Sequence, residues 1–154
     1  LNTVEYVNRM RALLDRIEPK PSPAGSDDEL IIDVVYDGED LADVAAWFGV
    51  AVDDIVKRHL AGRYTVAFCG FSPGFGYLRG LDPALHLPRR DIPRTRVPAG
   101  AVAIAAGYSA VYPTPSPGGW HLIGSTRTVL WNSDAEPPSP MQPGRPVRFR
   151  QLER

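Results

Sequence analysis

Proline and glycine occur so often in this chain that they limit the folds open to it. The sequence has 16 prolines and 14 glycines among 154 residues, which argues against long helices. Because proline fixes φ and glycine permits positive φ, runs that contain both specify particular loop shapes. Two runs, at 72–75 and 116–120, place Ser-Pro-Gly before an aromatic residue. Such loops either carry binding residues or are simply tight turns, and spacing alone does not decide between the two.

Short β-branched or apolar segments, separated by Gly and Pro, follow residue 62. Segments of this length and composition are typical of strands. A series of them predicts an all-β sandwich or a closed barrel. The expected strands cover residues 64–69, 102–106, 109–112, 121–123, 128–131 and 147–149, with a Pro-rich loop at 133–146.

The first part of the chain has a different pattern. Apolar residues at helical spacing predict a helix over 4–17, which Asn2 or Thr3 could cap. A polar, Pro-rich linker is expected at 19–28, and the β-branched run at 30–36 predicts a strand.

Two more helices are expected at 41–48 and 53–60. Asp40 is the expected N-cap of the first, and Gly49 is expected to end it. The pair resembles a DNA-binding helix-turn-helix, but Asp53 and Asp54 would then approach phosphates with negative charge. We therefore expect a packed helical hairpin and no nucleic-acid binding.

Composition narrows the class of protein. There is no apolar run of about 18 residues, so no membrane span is expected. The single cysteine, Cys69, excludes an internal disulfide framework and indicates a reducing cytosol, and its apolar neighbours predict a buried strand residue. The chain begins with Leu1 and without a signal peptide, so an earlier segment is expected to be missing.

Charge is distributed unevenly along the chain. Residues 61–130 hold seven arginines and two acids, a net charge of +5, whereas the whole chain has −1 and the remainder therefore −6. A positive centre with acidic flanks favours a small anionic ligand, such as a carboxylate or phosphate, over a nucleic-acid track. No Gly-x-x-x-x-Gly-Lys sequence is present, so a P-loop nucleotide site is not expected.

Ser72 lies in Gly-Phe-Ser-Pro-Gly, which matches the nucleophile elbow of serine hydrolases. In that elbow the residue after the serine donates its backbone N–H to an oxyanion, and Pro73 has none. Ser72 is therefore expected to cap a turn. His59, His86 and His121 are too scattered for a metal site, and His59 is expected near a helix C-terminus, where a cation is favoured.

Arg89 and Arg94 each follow a proline, five residues apart in an expected rigid loop. Their planar guanidinium groups could bind a carboxylate or phosphate, or could pair with Asp82 or Asp91 and fix the loop. Residues 68–126 hold no lysine and no carboxylates beyond those two, so acid–base or phosphoryl-transfer machinery is incomplete. If the chain takes part in catalysis, we expect a partner to complete the site.

Taken together, these motifs resemble the carboxyltransferase C/D domain family. This family includes allophanate hydrolase subunit 1, the B subunit of 5-oxoprolinase and the sporulation kinase-inhibitor protein. The resemblance covers about residues 30–149 and includes His59 and Tyr64. It rests on GFxPGFxYLxGL at 70–81, Pro-Arg at 88–89 and 93–94, VPxG at 97–100, YP at 112–113 and SPGGWxLIGxT at 116–126.

The resemblance implies an α+β fold, namely a cyclophilin-like β-barrel preceded by part of a small α+β N-terminal domain. Residues 1–28 would be the remnant of that domain and its linker, and 29–154 the barrel. A homologous barrel subunit would be the partner, with the active site between the two barrels. The candidate substrate-binding residues are His59, Tyr77, Arg89, Arg94, Tyr112, Gly118, Gly119 and Trp120, and no metal is expected.

The implied function is a cytoplasmic subunit of an ATP-dependent amide hydrolase, above all a 5-oxoprolinase, with ATP bound by the assembled complex. One alternative is an allophanate hydrolase or urea carboxylase type of subunit, which would use biotin. Another is a non-catalytic inhibitor of a histidine kinase. Ala101, Tyr108 and Ser125 replace a serine, a glutamine and an arginine common in relatives, so the resemblance leaves the substrate open.

Overall fold

The computed structural model describes residues 28–153. Two helices and nine strands form this part of the chain, with one 3₁₀ turn at Pro83–Leu85. The helices are α1 (Leu41–Phe48) and α2 (Val52–Ala61). The strands are β1 (Leu30–Val34), β2 (Tyr64–Cys69), β3 (Gly76–Arg79), β4 (Arg94–Val97), β5 (Ala101–Ala105), β6 (Tyr108–Val111), β7 (Ser116–Gly118), β8 (His121–Ser125) and β9 (Pro146–Gln151).

Seven strands make a sheet that closes on itself. Their order is β1-β9-β2-β3-β6-β5-β8, and the β1–β9 pair is parallel. The two edges meet where Val35 and Ser125 exchange backbone hydrogen bonds of 2.9 and 2.8 Å. This closure confirms the predicted α+β fold with a cyclophilin-like barrel, because a barrel removes the open edges of a sheet.

The helical hairpin packs against the barrel. Val44 of α1 and Ile55 of α2 are buried in the main core cluster together with barrel residues. Gly49 adopts φ 66°, and its N–H bonds to the carbonyls of Ala45 and Ala46, so it ends α1 as predicted. Both helices match their predicted ranges to within one residue at each end, and the hairpin interpretation is confirmed in place of helix-turn-helix.

Strand β5 is buried on both faces. Val102 and Ile104 join the main core, whereas the alternate residues Ala101, Ala103 and Ala105 join a second, aromatic cluster. This alternation follows from the period of two in a strand. Small alanines on the second face leave room for large rings, and the separate two-stranded ribbon of β4 and β7 lies beside this aromatic layer.

Several predicted elements are wrong. Residues 128–131 form no strand, because Thr128 bonds through its N–H and hydroxyl to the Thr126 hydroxyl instead of to a ladder. Strands β3, β4 and β7 were not expected, since Gly, Arg and Pro break the apolar pattern there. Cys69 is exposed at the end of β2, not buried, and its thiol donates to the carbonyl of Met141 at 3.0 Å.

The expected helix over 4–17 and linker at 19–28 lie outside the described residues, apart from residue 28 itself. The proposed domain boundary after residue 28 therefore stays a prediction. In the described range, no helix is long and apolar enough to cross a membrane.

Candidate functional site

A cavity of about 300 Å³ opens beside the aromatic layer. We call it the aromatic pocket. Six of the eight candidates from the sequence line it, although they come from four separate segments of the chain. The fold therefore brings together Tyr77, Arg89, Tyr112, Gly118, Gly119 and Trp120.

Aromatic rings form the base of this pocket. Phe75 is buried, and its ring centroid lies 5.1 Å from Tyr77, 5.3 Å from Tyr112 and 5.6 Å from Trp120. These contacts are edge-to-face, the arrangement that aromatic quadrupoles favour. Interlocked rings resist displacement, so the base of the pocket is fixed before any ligand arrives.

The wall at 118–120 is held by its neighbours on two sides. A Cβ added to Gly118 would lie 2.2 Å from the hydroxyl oxygen of Tyr112, so only glycine permits this close approach. On the other side, the Gly119 carbonyl accepts a 2.8 Å bond from Arg90 N–H. Burial raises the pKa of Tyr112, although a backbone hydrogen bond from Trp120 acts in the opposite direction. The Ser-Pro-Gly-Gly-Trp run is thus a wall of fixed backbone.

Asp40 organises the loop that carries the pocket arginines. Its side chain is 2% exposed and accepts bonds from Arg90 Nη1 at 2.6 Å and from Arg94 Nη1 and Nη2 at 2.7 Å. It also accepts a 2.7 Å bond from Leu122 N–H. We call Asp40, Arg90 and Arg94 the Asp40 cluster. Asp40 is the N-cap residue of α1, as predicted, but its side chain makes no capping bond, because these donors occupy its oxygens.

The Asp40 carboxylate stays ionised despite its position. Burial acts to raise its pKa, but the hydrogen bonds from Arg94 and Leu122 and the charges of both arginines outweigh burial, so the pKa is lowered. The same contact with Asp40 raises the pKa of Arg94. A buried carboxylate with charged donors on both oxygens is a rigid anchor for residues 90–94.

Arg94 is therefore not placed as a ligand-binding residue. Its guanidinium is committed to Asp40, with Glu39 at 3.3 Å, and it does not line the aromatic pocket. The sequence left open whether Arg94 binds a ligand or fixes the loop. The structure shows that it fixes the loop, but its partner is Asp40 and not Asp82 or Asp91. Asp82 instead lies 3.8 Å from Arg58.

Arg89 differs from its neighbours. It is exposed and lines the aromatic pocket. None of the ion pairs found within residues 28–153 involves it. A guanidinium without a carboxylate partner, beside aromatic walls, is suited to bind the carboxylate of a small planar molecule.

His59 does not line the aromatic pocket and is enclosed in the core. It is 0% exposed, its Nδ1 accepts from the Tyr36 hydroxyl at 2.7 Å, and its Nε2 lies 2.8 Å from Ser109 Oγ. Because Ser109 Oγ donates to the Ala103 carbonyl, it accepts from His59 Nε2–H. Burial lowers the pKa of His59 from 6.5 to about 3.

The histidine is thus neutral, and the expectation of a cation at the helix end is wrong. The Tyr64 hydroxyl completes the group by donating to the His59 carbonyl at 2.7 Å. We call Tyr36, His59, Tyr64 and Ser109 the His59 cluster. Since His59 is enclosed and both ring nitrogens are bonded, it is excluded as a substrate-binding residue in this structure.

Several contributors to the site escaped the sequence reasoning, among them Asp40, Phe71, Phe75 and Arg90. The charge count could have indicated a residue such as Asp40, because the arginine-rich centre has few acids and its arginines need a carboxylate from elsewhere in the chain. Phe71 carried a weaker signal as the residue before Ser-Pro-Gly. Nothing in the sequence distinguishes Arg90 from Arg89 as the anchored member of the pair.

Other candidate chemistry finds no support in the structure. The Ser72 hydroxyl is buried and has no hydrogen-bond partner among the described residues, so the expectation that it caps a turn is wrong and no base activates it. Across residues 28–153, no group of three His, Cys, Asp or Glu side chains is arranged to hold a metal ion.

Comparison with known proteins relates this geometry to a family. The model of the carboxyltransferase domain, subdomain C and D, matches residues 2–141. The B subunit of 5-oxoprolinase from Haemophilus influenzae is 45% identical over 121 residues, which cover 77% of this chain and 57% of the relative. The B subunit of 5-oxoprolinase from Escherichia coli O157:H7 is 46% identical over 152 residues, which cover 97% of this chain and 67% of the relative.

A solved structure shares the fold. The conserved uncharacterized protein from Pyrococcus horikoshii superposes with a TM-score of 0.77 at 37% identity, covering 97% of this chain and 67% of that one. The chain spans 57% to 67% of the length of the two curated relatives. Because the family model matches nearly all of the sequence, the chain belongs to the carboxyltransferase domain family, subdomain C and D.

Proposed function

We propose that this chain is part of the B subunit of a 5-oxoprolinase and helps to open the cyclic amide 5-oxoproline to glutamate. The observation that carries the proposal is Arg89, an arginine without an ion-pair partner among the described residues, at the rim of a fixed aromatic pocket. The names of relatives at 45% and 46% identity supply the substrate class. 5-Oxoproline matches this pocket, because its small flat ring suits the aromatic walls and its one carboxylate suits Arg89.

In this proposal Arg89 binds the substrate carboxylate through its planar fork. The ring of 5-oxoproline lies against Tyr77 and Trp120, which supply apolar surface and hold the ring in one plane. The anchored Arg90 keeps the loop in place, so that Arg89 does not lose the entropy of ordering a flexible loop when substrate binds.

The carbonyl oxygen of the lactam gains negative charge when a nucleophile attacks the carbonyl carbon, before the C–N bond breaks. We assign the N–H groups of Gly118 and Gly119 to that charge, since backbone amides on a fixed wall need no reorganisation during reaction. Among the described residues, no carboxylate, histidine, cysteine, serine or lysine lines the pocket, so acid–base machinery beyond the tyrosines is missing from it. A homologous barrel subunit would supply these groups, and the active site would lie between the two barrels.

ATP does not fit the aromatic pocket of this chain. A triphosphate needs several cationic or amide donors, whereas Arg90 is committed to Asp40 and no lysine of the described residues lines the pocket. We therefore place ATP elsewhere in the assembled complex, and no step that Arg89 or the glycine wall performs depends on it.

The test is to co-express this protein with the homologous barrel subunit and the remaining subunits of the complex. ATP-dependent glutamate release from 5-oxoproline is then measured for the parent and for Arg89→Ala. We expect the variant to raise KM or lower kcat/KM by about 10- to 100-fold, the loss typical of one charged hydrogen bond. Arg89→Lys should recover little, because a point charge does not replace a planar fork.

Arg63→Ala is the matched control, since Arg63 is also exposed but does not line the aromatic pocket. It should leave kcat/KM unchanged. An intact complex that releases no glutamate from 5-oxoproline would refute the proposed activity. Hydrolysis of allophanate, or biotin-dependent carboxylation of urea, by the same complex would replace it with the alternative drawn from the family resemblance.

A further inference from the structure

Phe71 has a backbone conformation that phenylalanine rarely adopts. Its φ is 68°, and Ser72 N–H bonds to the Gly70 carbonyl across it at 2.8 Å, which makes a γ-turn of the strained type. Glycine would occupy such a position without steric conflict. Strain of this kind persists where surrounding structure enforces it, and it concentrates at functional sites.

The surrounding loop enforces this conformation from both sides. Gly70 N–H bonds to the Phe75 carbonyl at 3.2 Å, and Phe75 N–H bonds to the Ser72 carbonyl at 3.0 Å. Gly74 is pressed against the chain at Leu130, where an added Cβ would lie 2.6 Å from the carbonyl oxygen. The loop therefore holds the ring of Phe71 in a fixed place.

That place is a partition between two cavities. Phe71 lines the aromatic pocket of about 300 Å³ and also a neighbouring cleft of about 530 Å³ beside Trp131 and Met141. It is the one residue that both linings share within the described part of the chain. The ring touches Phe75 and Tyr112 edge-to-face, yet the residue remains 60% exposed.

We propose that Phe71 determines specificity by closing the aromatic pocket on the side of the cleft, which limits the substrate to a small planar ring. This inference rests on the proposed function for the identity of the ring, a five-membered lactam. Because the residue is exposed and strained, folding alone gives no reason for phenylalanine here. Removing the ring joins the pocket to the cleft and admits a larger lactam.

The test compares 5-oxoproline with its six-membered homologue, 6-oxopiperidine-2-carboxylate, in the assembled complex. One extra methylene in a closed pocket changes kcat/KM by roughly 10- to 200-fold, so the parent should prefer 5-oxoproline by about that factor. Phe71→Gly should reduce this preference at least about tenfold, mainly by gaining activity on the six-membered homologue. A preference equal to that of the parent would overturn the inference.

The melting temperatures of the Phe71 variants provide a second readout, because a purely structural role predicts a loss of stability and a specificity role does not. Phe71→Gly should melt at or above the temperature of the parent, because glycine relieves the strained φ. Phe71→Ala also lacks the ring but keeps the strain, so it should melt below Phe71→Gly while showing the same change in preference. A large loss of stability in Phe71→Gly would mean that the ring serves packing, and would refute a specificity role.

Trp47→Ala is the control for loss of an exposed aromatic, since Trp47 is 63% exposed on α1 and lines neither cavity. It should not alter substrate preference. If the parent complex does not act on 5-oxoproline, the proposed function fails, and the partition is then tested by NMR titration of the chain with benzoate. Weaker benzoate binding to Phe71→Gly, but not to Trp47→Ala, supports the partition, and equal binding to all three rejects it.

Discussion

The His59 cluster and the Asp40 cluster differ in charge. The His59 cluster is neutral, since burial lowers the pKa of His59 to about 3 and each ring nitrogen has one partner. The Asp40 cluster is ionic, with one carboxylate between Arg90 and Arg94. The first is enclosed by the barrel core, whereas the second adjoins an open pocket.

This difference shows what each cluster can do. A neutral, fully bonded group inside the core has no spare donor or acceptor for a ligand, so it can act only on stability. The charges of the ionic cluster largely cancel, because Asp40 and Glu39 face Arg90 and Arg94, so the positive charge at the aromatic pocket comes from Arg89. Polar residues of the same type thus have different roles in this protein, because they differ in burial and in their bonding partners.

Asp40→Ala should have the largest effect on folding. It leaves Arg90 and Arg94 without their carboxylate and Leu122 N–H without an acceptor. Removing one partner of a buried ion pair lowers the free energy of unfolding by about 3–5 kcal/mol. Urea denaturation at pH 7 measures this loss, and Asp40→Asn should lose less because its amide oxygen still accepts.

Asp91→Asn is the matched control, since Asp91 is an exposed carboxylate in the same loop. Its free energy of unfolding should stay within about 0.5 kcal/mol of the parent. If Asp91→Asn proved as harmful as Asp40→Ala, the anchor of the arginine loop would be Asp91, one of the two partners that the sequence suggested.

The His59 cluster should make the protein sensitive to acid. The pKa of His59 is 6.5 when it is exposed on unfolding and about 3 in the folded chain. The unfolded state therefore binds an extra proton between these values, so this contribution is fully present above pH 6.5 and is lost as the pH falls toward 3. Between pH 6.5 and 4.5 the free energy of unfolding should fall by about 2 kcal/mol on this account.

Denaturant titrations at a series of pH values measure that fall in the parent and in His59→Gln. The glutamine variant is less stable throughout, but it should lack this part of the pH dependence. His86→Gln, which changes an exposed histidine, should retain it. An identical acid slope in His59→Gln and the parent would show that another group, such as a carboxylate, is responsible.

Much of the fold followed from local pattern, and the exceptions have physical causes. Helix α1 and strand β2 were predicted to the residue, because Gly49 marks the end of the helix and alternating apolar residues mark the strand. Strands β4 and β7 were missed, because each is stabilised by its partner some 20 residues away and not by its own composition. Local propensity carries no information about such a pairing.

For the candidate site, too, the sequence predicted the features encoded locally and missed those that depend on distant residues. The wall at 118–120 was predicted because glycine and proline encode its shape locally. The different roles of Arg89 and Arg94 were not predictable, since the carboxylate that commits Arg94 lies 54 residues earlier in the chain. His59 lies near the C-terminus of its helix, as predicted, but its burial was not foreseen, because helical spacing does not tell which face of a helix meets the barrel.

The smallest effect on folding is expected at Arg89. In Arg89→Ala the free energy of unfolding should stay within about 0.5 kcal/mol of the parent, because none of the ion pairs in the described residues includes this side chain. Arg94→Ala removes two charged hydrogen bonds to Asp40 and should lose at least about 1.5 kcal/mol. Parallel urea titrations of the two variants measure the contrast. Equal losses would mean that Arg89 also fixes the loop, and its guanidinium would then not be free for a carboxylate.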